Sequence, residues 1–208
     1  ELAQPMEADA RRALLTQGLR RTERFERRHG VHVARVMVPP HGACSEGTAA
    51  EMPLLGYEAL CVSRPYPWLD APPSDRVLAG WSSTEIVTTG LPVIPRLHLN
   101  ADRGEIVLRA FLRQPIVLYG HHGDVREGLA VLREAAAQVN DVGTVQWMSL
   151  GEIATSSCER RIEGSRLHVR PNTRRSVVEV TEDVSELIVE LPPHWPAQRI
   201  LVNAREVN

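Results

Sequence analysis

Four of the eight histidines stand where a run of apolar residues ends. They are His41 after the run that closes at Val38, His98 at the end of "PVIPRLH", and His121 and His122 after "PIVLY". An imidazole titrates near neutral pH and serves as a general acid, a general base or a metal ligand. These histidines are therefore candidates for chemistry, although a histidine in a loop is also often a structural hydrogen-bond donor.

Asp124 follows the histidine pair by two residues, and its carboxylate could orient one ring through the second ring nitrogen. We therefore take His121, His122 and Asp124 as candidate catalytic residues. The candidate substrate-binding residues are Pro40, His41, Gly42, Arg96, His98 and Trp147. No residue is assigned as a metal ligand, and a metal site formed by His41, His98 and His121 stays open as an alternative.

The segment Pro39-Pro40-His41-Gly42 has a structural and a functional interpretation. Proline ends a strand and glycine permits a tight turn. A rigid loop at a strand end also holds a polar side chain in place, as a preorganised site requires. Cys44 follows closely and could form a nucleophilic pair with His41, but an inert thiol is the favoured interpretation.

Other chemical signals are weak. Trp147 is interpreted as core packing, with the wall of a sugar-binding cleft as the alternative, and His168 and His194 as surface residues. Cys44, Cys61 and Cys158 are odd in number and lack C-x-x-C spacing, so they predict free thiols rather than a zinc or disulfide framework. Glycine-rich phosphate loops, H-E-x-x-H and G-x-S-x-G are absent from the sequence.

Parallel strands would bring the candidate residues together, because strands joined through helices end at one edge of a sheet. Helical spacing of apolar residues alternates with continuous apolar runs, which predicts parallel βα units. The predicted elements are a helix at 8–28 that stops near Gly30, a strand at 34–38, a short helix from Thr48, a strand at 59–62, an ordered loop at 64–75, an apolar stretch at 90–99, a helix at 104–112, a strand at 116–119, a helix with Val125, Leu129, Leu132, Ala136 and Val139 on one stripe, a strand at 144–150 and a short helix from Ser149.

After Ser157 the pattern changes to short β-branched and apolar runs separated by polar turns. The runs "RLHVRP", "SVVEV", "ELIVEL" and "RILVN" predict a small antiparallel β appendage. We therefore expect an α/β domain over residues 1–157 and a β-rich appendage over 158–208.

Composition limits the partners. The 24 basic and 26 acidic residues nearly cancel and form no long blocks, so nucleic acid is not an expected partner. No run of about 18 apolar residues occurs, so no membrane span is expected. The start of the chain lacks the charged and apolar regions of a signal peptide, which favours a soluble protein. Its compartment stays open, with the cytoplasm slightly favoured.

In this order of elements the chain resembles the polysaccharide deacetylase family, whose metal-dependent members remove N-acetyl groups from amino sugars with a distorted (β/α) barrel. The resemblance covers about residues 8–157 and rests on the proline-glycine loop, "LLGYEALCVS", the "IVLYGHH" strand end and "TVQWMSL". It implies a partial or distorted (β/α) barrel in which 39–42 line the active site. It also implies that His121, with His122 as its rival, is the catalytic acid.

The chain departs from that family at its first motifs. It has no Asp-Asp pair and no H-x-x-x-H, and the arginine usual before the proline loop is replaced by Val36-Met37-Val38. The resemblance implies a divalent cation such as zinc, but the usual ligands of that cation are absent from this chain. We expect this chain to be either the C-terminal part of a longer protein or a divergent relative of the family. We also expect a missing segment or a second copy of the chain to complete the sheet.

The resulting hypothesis is a deacetylase-like hydrolase of carbon–nitrogen bonds that acts on N-acetylated carbohydrate or a related amide and is present here as a portion without the metal-binding half. A non-catalytic carbohydrate-binding or structural module that retains the same scaffold is the alternative. The expected partner is a carbohydrate or small-molecule substrate, and a homo-oligomer is a further possibility.

Overall fold

The structure is a computed structural model that describes residues 6–42, 45–63, 85–86, 91–172, 175–191, 200–203 and 205–207. These residues form a mixed α/β fold with a sheet of four parallel strands and a separate mixed sheet of three strands. The described strands do not close into a barrel. The predicted loop at 64–75 lies outside the described residues.

The first element is helix α1 (Ala8–His29), as the sequence predicts. Its last turn carries Arg27, Arg28 and His29, whose positive charge suits the negative end of the helix dipole. Gly30 follows with a φ of 65° and donates its backbone N–H to the carbonyl oxygen of Glu26. Glycine adopts this left-handed conformation without a steric penalty, so the helix ends there.

The main sheet places its longest strand in the centre. Its strands are β1 (Val36–Met37), β2 (Ala59–Val62), β3 (Glu85–Ile86), β4 (Pro92–His98) and β5 (Val117–Tyr119). The parallel strands are ordered β1, β2, β4, β5, while β3 pairs antiparallel with the beginning of β4. The strand predicted at 34–38 is shorter than expected, whereas the strand at 59–62 is confirmed.

Four more helices cover this sheet: α2 (Glu46–Leu55), α3 (Arg103–Phe111), α4 (Ala130–Asn140) and α5 (Leu150–Ser156). Side chains cap three of them. Ser45, Asp102 and Ser149 each accept a backbone N–H from the first turn of α2, α3 and α5, respectively. These caps satisfy donors that a helix start otherwise leaves unpaired.

Strand β2 is apolar throughout because helices pack on both of its faces. Leu60 lies in a buried cluster with Met52 of α2, and Cys61 lies in a second cluster with Ala154 of α5. Burial raises the pKa of the Cys61 thiol to about 11 although the charge of Arg96 opposes this shift, so the cysteine is an inert core residue.

Two predictions for the later elements are wrong. Residues 145–149 form no strand. The stripe predicted for α4 is wrong at Leu129 and Leu132, which are exposed, but it is confirmed at Val139, which is buried together with Ala135. Val139 packs with Leu97 of β4 and Ile106 of α3, and Leu129 lies before the first residue of the helix.

The second sheet contains β6 (Cys158–Glu163), β7 (Arg166–Pro171) and β8 (Glu186–Val189). Strands β6 and β7 are antiparallel, but β7 and β8 are parallel, which corrects the expectation of an antiparallel appendage. Residues 176–180 form no strand. The sequence also missed β6, whose "CERRIE" carries mostly charged side chains and is largely exposed.

The last described element is a β-hairpin. Strands β9 (Ile200–Val202) and β10 (Arg205–Val207) pair antiparallel, in agreement with the predicted run "RILVN". Among the described helices, none combines the length and the apolar character needed to cross a bilayer.

An ion pair ties α1 to the residues before β1. Arg35 Nη2 lies 2.6 Å from Glu26 Oε2, and Glu26 also accepts the backbone N–H of Val33. The hydrogen bond from Arg35, followed by that from Val33, lowers the pKa of Glu26 from 4.5 to about 2. The ionised carboxylate is therefore favoured in the folded chain.

We predict that Glu26 adds to the free energy of unfolding above pH 4.5, and that this contribution disappears as the pH falls toward about 2. The unfolded chain takes up the proton first, so acid favours unfolding in this window. Urea unfolding of the wild type and of Glu26→Gln over that range measures the effect, since other carboxylates cancel in the difference. A difference that does not change with pH would contradict the prediction.

Candidate functional site

The carboxyl ends of the four parallel strands lie at one edge of the sheet, called here the carboxyl rim. Strand β1 leads into the short 3-10 turn Pro40–Gly42, β2 ends before Ser63, β4 ends at His98, and β5 ends at Tyr119. The parallel pairing of β4 with β5 matches His98 with Tyr119. The predicted strand-end positions therefore do meet at a common edge.

Three of the predicted site residues form a compact group, the histidine–aspartate cluster of His98, His121 and Asp124. Asp124 Oδ2 lies 3.5 Å from His98 Nε2 and 4.0 Å from His121 Nδ1. The two imidazole rings are 6.5 Å apart between centroids. One carboxylate thus faces both imidazoles, which the sequence spacing suggested for one ring only.

Asp124 is held in place by the backbone of the turn that follows β5. The N–H of His121 donates to Asp124 Oδ2 at 2.6 Å, and the N–H of Asp124 donates to the carbonyl oxygen of His121 at 2.9 Å. The bond from the His121 N–H lowers the pKa of the Asp124 carboxyl, and the neighbouring charges of His98 and His121 lower it further. Asp124 is therefore an anion at neutral pH.

His98 has a defined tautomer because its Nδ1 accepts the backbone N–H of Asn100 at 3.2 Å. A neutral ring whose Nδ1 accepts must carry its proton on Nε2, the atom that faces Asp124. His121 differs in exposure, since its side chain is 75% exposed and that of His98 is 35% exposed. His98 is thus fixed within the rim, while His121 is presented to solvent.

A chain of contacts links the cluster to the other strand ends. The Tyr119 ring lies 5.2 Å from the His98 ring and 5.9 Å from the His121 ring between centroids. Arg96 Cζ lies 4.7 Å from the Tyr119 ring centroid, and Arg96 Nη2 donates to Ser63 Oγ at 2.7 Å. Arg96 therefore connects three neighbouring strands at the rim.

The contact chain reaches the proline-glycine loop through Gly42. The N–H of Ser63 donates to the Gly42 carbonyl oxygen at 3.3 Å, and Gly42 is buried with a φ of 68°. Pro40 is exposed at the start of the same turn. The His41 side chain and Cys44 lie outside what the structure describes, so the predicted roles of His41 and of the Cys–His pair stay predictions.

Two predicted site residues lie apart from the cluster. His122 is exposed next to His121 and does not belong to the group of possible ligands formed by the described residues. Trp147 is 61% exposed and donates from Nε1 to Asn140 Oδ1 at 3.0 Å, so its interpretation as core packing is wrong. The segment around Trp147 is not a strand, which leaves its ring outside the core.

His168 also differs from its prediction. Its side chain is only 16% exposed, and it lies 3.1 Å from Glu190 and 3.5 Å from Glu163 across the second sheet. The pairing of β7 with β6 on one side and with β8 on the other places Glu163 and Glu190, which follows β8, on either side of His168. His194 lies outside the described residues.

The sequence did not indicate Ser63, Tyr119 or Asn100 as parts of the site. Residues two apart on a strand share a face, so Arg96 and His98 project together. The pairing of His98 with Tyr119 then places the aromatic ring beside them. That pairing is not readable from a single sequence, because it depends on which strands become neighbours.

The cluster also has the donor atoms of a metal site. Two imidazole nitrogens and a carboxylate oxygen lie within 4.8 Å of one another. Imidazole and carboxylate suit zinc and similar transition-metal ions. However, the Nε2 of His98 must lose its proton before it can bind a metal, since its Nδ1 is occupied by the Asn100 N–H. Metal binding at His98 Nε2 therefore competes with the hydrogen bond from the Asn100 N–H.

We predict that Gly42→Ala lowers the free energy of unfolding more than Gly30→Ala. Both glycines have similar positive φ angles, so the backbone strain is common to the two substitutions. A Cβ at Gly42 would meet the Ser63 side chain and lie 2.9 Å from the Ser63 nitrogen, whereas no described atom lies within 4 Å at Gly30. The expected difference is about 1–3 kcal/mol by chemical denaturation. Equal losses would show that Gly42 is not packed against Ser63.

Comparisons with known proteins gave no relative for this chain: no family model matches it, and neither does a curated protein or a solved structure. Residue roles are therefore argued from the geometry of the carboxyl rim itself. The central feature of that rim is the anionic Asp124 between two imidazoles of different exposure.

Proposed function

We propose that this protein is a hydrolase that cleaves a carbon–nitrogen amide bond in an N-acylated carbohydrate. His121 is the general acid, Asp124 orients it, and His98 positions Asp124. The observation that carries the proposal is the placement of Asp124 Oδ2 3.5 Å from His98 and 4.0 Å from the exposed His121 ring. The substrate class comes from the resemblance to polysaccharide deacetylases.

Amide cleavage needs a proton donor because an amine leaves the acyl carbon only after its nitrogen is protonated. The Asp124 anion favours a proton on His121 Nδ1, which leaves Nε2 directed away from the carboxylate. Neutral His121 accepts a proton from the attacking water, and the resulting imidazolium gives it to the departing nitrogen as the C–N bond breaks. The 4.0 Å separation from Asp124 is long, as catalytic hydrogen bonds often are without substrate.

His98 acts on Asp124 rather than on the substrate. Its Nδ1 accepts from Asn100, so the proton on Nε2 faces the carboxylate. Together with the His121 N–H, this proton keeps the carboxylate ionised and fixed in position. A fixed anion stabilises the imidazolium that forms on His121, which is the role of an orienting carboxylate in acid–base catalysis.

The resemblance implies a divalent cation, which when bound polarises the acyl carbonyl and lowers the pKa of a water molecule. The ligand motifs of that family are absent from this chain, so its residues do not fit the site of the family. No step of the proposed reaction passes through a cation.

We further propose that the four parallel strands are part of a distorted (β/α) barrel. Parallel strands with functional side chains at their carboxyl ends support this arrangement, whereas helices on both faces of β2 are typical of an open parallel sheet. In this proposal a further segment or a second copy of the chain completes the sheet, and the second sheet supports the site or contacts the carbohydrate.

We predict that His121→Ala lowers kcat/KM for an N-acetylated amino-sugar oligosaccharide by about 10²–10⁴-fold, the usual contribution of a general acid or base. His122→Ala is the matched control, because His122 is a neighbouring exposed histidine outside the cluster. It should leave the rate within about twofold. The measurement is acetate release under conditions in which both variants stay folded.

Two outcomes would contradict the proposal. Equal loss in both variants would show that the cluster geometry does not matter. Binding of the oligosaccharide without acetate release, unchanged in His121→Ala, would favour the non-catalytic binding module instead. An Asp124→Asn variant removes the charge of the side chain but keeps its size. A loss of activity in this variant while it stays folded would therefore reflect the lost orientation of His121 and not unfolding.

A further inference from the structure

We infer that His98, His121 and Asp124 also form a binding site for a divalent transition-metal ion such as Zn²⁺. This inference goes beyond the proposed hydrolysis and does not depend on it. It concerns equilibrium binding of a metal to residues that are not the ligands of the family that the chain resembles. Bound metal and proton transfer by His121 would exclude each other.

The distances between donor atoms support such a site. Zinc binds imidazole nitrogen and carboxylate oxygen at about 2.0–2.2 Å, so tetrahedral ligands lie about 3.4 Å apart. Asp124 Oδ2 is 3.5 Å from His98 Nε2 and 4.0 Å from His121 Nδ1. All three ligand atoms lie within 4.8 Å of one another, so small side-chain rotations close the site.

The donor types favour a transition metal over magnesium or calcium. Two nitrogens and one oxygen match the preference of zinc and its neighbours, whereas magnesium and calcium bind through oxygen alone. Three protein ligands leave a fourth position for water. His121 is exposed and Asp124 is partly exposed, so an ion can enter from solvent.

The electrostatics of the cluster suit a cation. Asp124 is the anion of the group, and its lowered pKa keeps it ionised well below neutral pH. The two imidazoles are neutral ligands when deprotonated at the binding nitrogen. Binding should therefore weaken in acid, as protons compete for the ring nitrogens.

His98 gives the inference a specific signature. Its Nε2 faces Asp124, while its Nδ1 accepts the Asn100 N–H. A metal on Nε2 moves the ring proton to Nδ1, and the hydrogen bond from Asn100 must then break. This lost bond limits the affinity, and the change of tautomer can be observed by ¹⁵N NMR of the ring.

The same atoms would bind the metal and transfer the proton, so the protein cannot do both at once. A metal on His121 Nδ1 removes the proton that Asp124 orients, and the metal also takes up the carboxylate. The acid–base pair is then no longer available. If the chain hydrolyses an amide, zinc should inhibit that reaction and a chelator should restore it.

The test is a titration of the metal-free full chain with Co²⁺, followed by its visible absorption, and with Zn²⁺ by calorimetry. We expect one ion per chain, with affinity at least about tenfold weaker in His121→Ala and in Asp124→Asn. The controls are His122→Ala and His168→Gln, the latter because His168 lies between two carboxylates on the second sheet. Both controls should bind like the wild type.

The binding results decide the metal-site inference without any substrate. Lack of binding by the folded wild type overturns it, as does binding that survives both cluster variants or is lost in His168→Gln. The inference is also overturned if the ¹⁵N signal of His98 Nδ1 at saturating Zn²⁺ shows that this nitrogen is still an unprotonated hydrogen-bond acceptor. Acceleration of hydrolysis by the metal would overturn the exclusion, whereas absence of hydrolysis would count against the proposed function and leave the binding result standing.

Discussion

The parallel alignment of β4 with its neighbours is the constraint on which the rest of the site depends. Strand β4 pairs with β2 at its beginning and with β5 at its end, so the chain leaves both β4 and β5 at the carboxyl rim. Its buried residues hold the strand between helix layers. The side chains of Arg96 and His98 project from a strand that cannot shift without exposing core.

The second determinant is local and electrostatic. The turn after β5 folds so that the His121 N–H binds the Asp124 carboxylate. Because this bond favours the anion, Asp124 remains charged next to two imidazoles. Proton transfer and metal binding are the two uses proposed for this one arrangement. The protonation of the His98 and His121 nitrogens decides between them.

The contacts around the cluster explain why it is ordered at an exposed edge. Tyr119 packs against both histidine rings, and Arg96 packs over Tyr119 while it donates to Ser63. Each strand end thus restrains the next one. A site built on strand ends and a short turn is better defined than one on a long loop, since packing limits the rotamers of its side chains.

The sequence by itself determined the helices, the buried strand at 59–62 and the positions of His98, His121 and Asp124 at strand ends, because apolar periodicity and capping residues act locally. The strand predicted at 116–119 is present at 117–119, but it is half-buried instead of buried. The strand predicted at 144–150, the inward face of α4 and the direction of β8 were wrong, since these depend on which surfaces meet. Only the tertiary structure decided that Asp124 faces two rings, that Tyr119 and Ser63 belong to the site, and that Trp147 is exposed. The physical reason is that pairing between distant strands brings together side chains whose separation in sequence carries no record of their contact.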